Sequence, residues 1–289
     1  MQGTATSAPP LAPREMALAA LLALAFAPAL LALGRVWAAV DYQSHGFLVP
    51  VVAVWIAMRE RPRWRRLVVA PDRRGLLLLA LALGTYLFGA GAGLVSLQGV
   101  ALVLAVAGAV LFTRGAGWLR ALAFPIAFLI FMVPVPPAWI GPTIVGLQVL
   151  VSRLSVSLLH AFGIAVTRAG NVLQLPAGDS LFVAEACSGV TSIVTLTPLA
   201  VLLGYFSLRR FWTRALLVAA VVPLAMAGNL ARVVVTCALA VQVGAERATT
   251  GWFHESAGLL TYAVACGLML ALGAGLRRVE QAGGWTRSA

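Results

Sequence analysis

Residues 75–93, "GLLLLALALGTYLFGAGAG", carry no charged side chain, and a second uncharged run, 97–113, follows after three residues. Runs of this kind constrain the fold more than anything else in the chain. A helix of roughly 20 apolar residues is what crosses a hydrocarbon core about 30 Å thick, and a backbone in that core has to satisfy its own hydrogen bonds. Further runs occupy 16–34, 186–206, 215–243 and 256–276, with shorter ones at 46–58 and 119–134. Composition agrees, with 61% hydrophobic and only 10% charged residues, against about 25% charged in soluble domains. A transmembrane barrel would instead alternate polarity over segments of about ten residues. The expectation is an all-α polytopic membrane protein with about eight transmembrane helices. Its organisation reads as a tail at 1–15, one multi-pass domain at 16–276 and a second short tail at 277–289.

The net charge of +12 does not point to nucleic acid. Its basic residues are all arginines, and they lie mostly between the apolar runs, where they act as orientation signals and contacts for anionic lipids. Residues 59–74, "RERPRWRRLVVAPDRR", hold seven arginines and anchor the cytoplasmic side. Alternating outward from there puts Arg114, Arg120, Arg209, Arg210, Arg214, Arg277 and Arg278 inside as well. This works if 135–182 stays outside. Ser152, Arg153, Ser155, Ser157 and His160 interrupt its apolar stretch and suit an extracytoplasmic interfacial helix. After it, Val166, Val172, Leu173 and Leu175, broken by "AGN" and "PAGD", read as a short hairpin before the sixth span.

That topology gathers polar residues in one outer layer. "VAEACSGVTS" places Glu185, Cys187 and Ser188 where the sixth span begins. Asn229 and Arg232 lie roughly 22 and 27 Å up the seventh span from Arg214 at about 1.5 Å per residue, and being three apart they share a helix face. His254 and Glu255 open the eighth span. Arg232 carries the most weight, because an arginine within a span costs about 2.5–3.5 kcal/mol even on the lenient insertion scale. A counter-ion role for Glu185 or Glu255 is its structural alternative, and Asn229 suits an interhelical hydrogen bond. His45, in "DYQSHGFLVP" at the head of the second span, competes with His254 as a base. Cys237 and Cys266, set among Val, Ala and Leu, read as packing residues. Three cysteines without a CxxC spacing give neither a zinc site nor a disulfide framework, and neither cofactor nor metal is expected.

A thiol, an imidazole and a fixed cation at one depth suit acyl transfer through a cysteine nucleophile. The imidazole takes the thiol proton and returns it to the leaving amine. The cation stabilises the thiolate or the oxyanion in a low-dielectric site.

These blocks resemble the exosortases of the exosortase/archaeosortase superfamily. "EACSGV" with Cys187, "NLAR" with Asn229 and Arg232, and "HESAG" with His254 match, as do "DYQSHGFLVP", "FLIFMVPVP" and "RAGNVLQLPAGDSLFVAEACSG", over about residues 37–275. The resemblance implies a bacterial inner-membrane cysteine protease and transpeptidase whose active site faces the periplasm. It implies Cys187 as nucleophile, Arg232 as stabilising cation and His254 as acid and base. Its partners are then exported proteins bearing a C-terminal tripartite, PEP-CTERM-like sorting tail, together with membrane lipids. The rival from another class is a transporter or polymer-export component. Repeat symmetry and broken central helices, which would favour it, are not evident. A scaffold subunit would leave Arg232 unexplained. Oligomeric state is not written in the sequence.

Overall fold

The computed structural model describes residues 12–64, 66–176, 178–182, 189–249 and 251–283; for Pro137, Phe182 and residues 251–255 it describes the backbone alone. Contacts divide the chain into two compact units, Met1–Pro136 and Pro137–Ala289.

The first unit contains α1 (Pro13–Ala25), α2 (Ala27–Ala39), α3 (Leu48–Arg59), α4 (Arg61–Trp64), α5 (Arg74–Gly91), α6 (Val95–Arg114), α7 (Ala116–Ala121) and α8 (Ala123–Phe128). Two 3-10 segments, Asp41–Phe47 and Leu129–Met132, complete it. The uncharged runs at 75–93 and 97–113 become α5 and α6, an antiparallel pair packed closely enough that a Cβ on Gly108 would lie 3.0 Å from Leu79. The run at 16–34 is a bent pair, α1 and α2 meeting at 54°. Pro28 explains the break, because its ring displaces the carbonyl four residues earlier and removes a helix N–H. Phe26 fills the bend, 2% exposed, its ring 4.9 Å from that of Tyr86. Glu15 and Arg114 form a buried ion pair at 2.6 Å, with the guanidinium 5.0 Å from the Trp118 ring.

The second unit contains α9 (Pro137–Ala161), a three-stranded sheet of β1 (Thr167–Ala169), β2 (Val172–Gln174) and β3 (Ser180–Phe182), and then α10 (Val190–Ser207), α11 (Phe211–Ala219), α12 (Val221–Val243), α13 (Ala245–Thr249) and α14 (Gly251–Ala282). The strands are antiparallel in order β1-β2-β3, with Arg168 opposite Leu173 and Leu173 opposite Leu181. The expected hairpin is therefore present, extended by a third strand. One apolar cluster joins α9, the sheet and α12 through Val151, Leu159, Leu173, Val233 and Cys237. A second joins α10, α11, α12 and α14 through Leu196, Leu217, Ala225 and Met269.

The chain is an all-α polytopic membrane protein, but the number eight is not reproduced. Six helices among the described residues are long and apolar enough to cross a membrane, and a seventh crossing arises if α1 and α2 form one bent span. The runs at 46–58 and 119–134 are built differently. In the first, residues 41–47 coil into a 3-10 segment and leave α3 only twelve residues. In the second, a turn at Leu122, Pro125 and the 3-10 segment before Pro134 divide the run.

The segment expected to lie at the interface, α9, is itself among the six. Two of the three serines that suggested an interfacial helix are buried. Ser152 and Ser155 are both 0% exposed, and the Ser152 hydroxyl donates to Gln148 O at 2.8 Å, a back-bond to the preceding turn that lets serine sit in an apolar helix. The exposed face instead mixes Arg153 and Ser157 with Val145, Leu150, Leu154 and Leu158.

Candidate active site

The three sequence blocks that carry the expected chemistry converge on one end of the α10–α12–α14 cluster. Gly189, from "EACSGV", takes a left-handed backbone (φ +82°) just before α10. Here a side chain would meet strain, since left-handed backbone is cheap only for glycine. Its missing Cβ would lie 3.5 Å from Asn229 Cβ and 3.8 Å from Asn229 Cγ. The start of α10 therefore rests on the "NLAR" block, with Asn229 3% exposed.

Three residues further along α12, on the same helix face, Arg232 turns to α14. A Cβ on Gly258 would lie 3.2 Å from Arg232 Cζ and Nη2 and 3.3 Å from Nη1. The guanidinium thus lies against bare backbone of the "HESAG" block, and its Nε is buried. Gly228 keeps the helices close one turn away, where its missing Cβ would lie 3.0 Å from Thr261 Cγ2. Small residues at such crossings are how membrane helices approach without bulky side chains between them. His254 lies one turn before Gly258 on α14, about 6 Å along the axis at 1.5 Å per residue.

Glu185, Cys187 and Ser188 lie outside the described residues, as do the side chains of His254 and Glu255. The two cysteines read from sequence as packing residues behave as such. Cys237 is 1% exposed inside the α9–α12 cluster, and Cys266 packs against the α10–α14 cluster. No group of three His, Cys, Asp or Glu side chains able to hold a metal occurs among the described residues.

His45 belongs to the first unit, and the structure gives it definite partners there. Its Nε2 lies 3.0 Å from Phe131 O, while Trp37 Nε1 donates to Met132 O at 2.9 Å. The "DYQSHGF" segment is thereby fastened to "FLIFMVP". Burial pushes the His45 pKa below its usual value, against the opposing hydrogen bonds to the Phe131 and Tyr42 backbone.

Sequence reasoning passed over Gly258, Gly228 and Glu280. The glycines contribute through an absent side chain, which periodicity does not register. Glu280 is 4% exposed, and its carboxylate accepts the amides of Arg209 and Arg210 at 3.0 Å and the Thr213 hydroxyl. A lone acid among arginines was its only signal. The basic residues Arg209, Arg210, Arg214, Arg277 and Arg278 all fall at the other end of this helix cluster, near the end of α10, the start of α11 and the end of α14.

A fixed guanidinium beside a buried amide, at one end of a largely apolar helix cluster, is an arrangement suited to holding negative charge. Comparison with known proteins gives this geometry a family. The family model for the transmembrane exosortase matches residues 37–271. Neither the curated proteins nor the solved structures gave a match. The matched region spans both units and contains every block that converges on Arg232, and the chain belongs to the transmembrane exosortase family, a family of cysteine-type membrane transpeptidases and proteases.

Proposed function

We propose that this protein cleaves C-terminal, PEP-CTERM-like sorting tails from exported proteins at the outer face of the bacterial inner membrane. Cys187 is the nucleophile, His254 the acid and base, and Arg232 the stabilising cation. His254 takes the thiol proton, and the thiolate attacks the scissile carbonyl while the Arg232 guanidinium holds the oxyanion. Collapse of the tetrahedral intermediate breaks the C–N bond, returns the proton to the leaving amine and leaves a Cys187 thioester. Water or an acceptor amine then takes the acyl group. Asn229 positions the start of α10. Glu185, Ser188 and Glu255 are the supporting polar residues of the same blocks.

One observation supports this most: Gly189 on Asn229 and Gly258 on Arg232 bring the three blocks into a single neighbourhood. The outward orientation has its own support, independent of how many helices precede α10. Arginines concentrate at the opposite end of α10, α11 and α14, and arginine-rich ends stay in the cytoplasm. A substrate tail that crosses once with its basic end inside then presents its cleavage motif beside Arg232. The test is processing of a tailed reporter in cells. Cys187→Ala and Cys187→Ser are expected to abolish it, and Cys237→Ala and Cys266→Ala to leave it intact. Full processing by membrane-inserted Cys187→Ala overturns the reading.

A further inference from the structure

A cleft of about 240 Å³ opens between α10 and α14 at the end away from Arg232. Ser207, Arg277, Arg278 and Gln281 line one part of it, and Leu203 and Leu270 line another. Along the helices the leucines lie one to two turns deeper than the arginines. Both arginines are exposed, and among the described residues neither forms an ion pair. The acid closest to them in sequence, Glu280, is buried and already holds the amides of Arg209 and Arg210. Arg214 is turned inward, its guanidinium donating to Leu208 O at 2.7 Å. The cleft is therefore cationic at the helix ends and apolar further in, and among the described residues no carboxylate pairs with its arginines.

That polarity matches an amphiphilic anion. Planar guanidinium forks bind phosphate oxygens in parallel pairs, and basic pockets between membrane-helix ends take anionic headgroups. A basic substrate tail would be repelled, and a soluble anion would leave Leu203 and Leu270 uncovered. We propose that this cleft binds one anionic phospholipid, its phosphodiester on Arg277 and Arg278 and the start of an acyl chain along Leu203 and Leu270. The site does not depend on the protease assignment.

The test is native mass spectrometry of the purified full-length protein titrated with phosphatidylglycerol and with phosphatidylcholine. Phosphatidylglycerol is expected to persist as a single adduct where phosphatidylcholine is lost. Arg277→Gln/Arg278→Gln is expected to weaken that adduct about 25-fold, from about fivefold for each arginine near the surface. Arg73→Gln/Arg74→Gln, an equal charge change in the first unit, is expected to stay within about twofold. Ala274→Trp, which fills the cleft and keeps its charges, is expected to weaken binding as well, and it decides the matter if the double variant does not fold. Equal retention of both lipids, equal loss in the two double variants, or full binding by Ala274→Trp overturns the proposal. Displacement by glycerol phosphate at the same concentration as the lipid also overturns it, by assigning the cleft to a soluble phosphate.

Discussion

Gly258→Val removes nothing charged and changes neither proposed reacting residue, yet it is expected to cost about as much activity as deleting the Arg232 guanidinium. A Cβ at position 258 would lie 3.2 Å from Arg232 Cζ, whereas carbon contacts are comfortable at about 3.5–4.0 Å. Alanine therefore asks the guanidinium to retreat by a few tenths of an ångström. Valine adds two carbons about 1.5 Å beyond Cβ and pushes the group by an ångström or more. Misplacing a group by about 1 Å is worth about 100-fold in rate, and losing an oxyanion donor about 10²–10³-fold. The expected series is a loss below about tenfold for Gly258→Ala and about 100-fold for Gly258→Val. The assay is cleavage of a tailed substrate per membrane-inserted enzyme. Gly267→Val supplies the control, because Gly267 lies on the same helix with nothing within 4 Å of its missing Cβ; it is expected to stay within about twofold of wild type by the same geometry. If Gly258→Val cleaves at the wild-type rate, or falls no further than Gly267→Val, the position of the guanidinium does not matter to turnover.

Arg232→Lys is expected to lose most cleavage at normal abundance, since lysine offers a point charge in place of a planar fork; near-normal specific cleavage would make charge alone sufficient. Glu280→Ala strips the acceptor from two amides and a hydroxyl and is expected to cost about 2–4 kcal/mol, read as a lower unfolding temperature in detergent; an unchanged temperature refutes a stabilising role for this carboxylate. His45 has a lowered native pKa, so the unfolded chain, with a value near 6.5, binds the proton more readily. Stability is then complete above about pH 6.5 and falls as pH drops through the native value. Thermal unfolding at two pH values should show this in wild type and less of it in His45→Gln; equal pH dependence in both contradicts it.

The long helices were legible because apolar runs without charge have one use in this setting. Residues 75–93 and 97–113 became α5 and α6 nearly to the residue. Runs shortened by local chemistry were not. Nothing in the hydropathy of 46–58 says that "DYQSHGF" coils tightly against Met132 and Phe131, because that depends on Trp37 and His45 finding carbonyls far away in sequence. The serines of α9 show a related limit, since polarity counts residues and Ser152 satisfies its hydroxyl inside its own helix. β3 was missed because three residues carry no periodicity until β2 lies beside them. Of the site, Asn229 and Arg232 announced themselves by being costly where they stand. Gly258 announced nothing, and only the packed guanidinium gives it meaning.

The segment from Phe211 to Val243 is helical and apolar over 33 residues, about 50 Å at 1.5 Å per residue, although a bilayer asks for only about 30 Å. The surplus lies largely beyond Arg232, where one face of the helix, through Val233, Cys237 and Ala240, packs on α9 and the sheet, while Val235 on another face stays exposed. A bare helix of that length would have to tilt, or the lipid around it would have to thicken. This one is backed along one face by α9 and the sheet. On that packed face, a bilayer a few ångströms thicker or thinner shifts its boundary over side chains that already have protein partners. For most spans the hydrophobic thickness of the membrane is a fixed demand; for the packed face of this helix it becomes a tolerance, set by how far that packing extends along the axis.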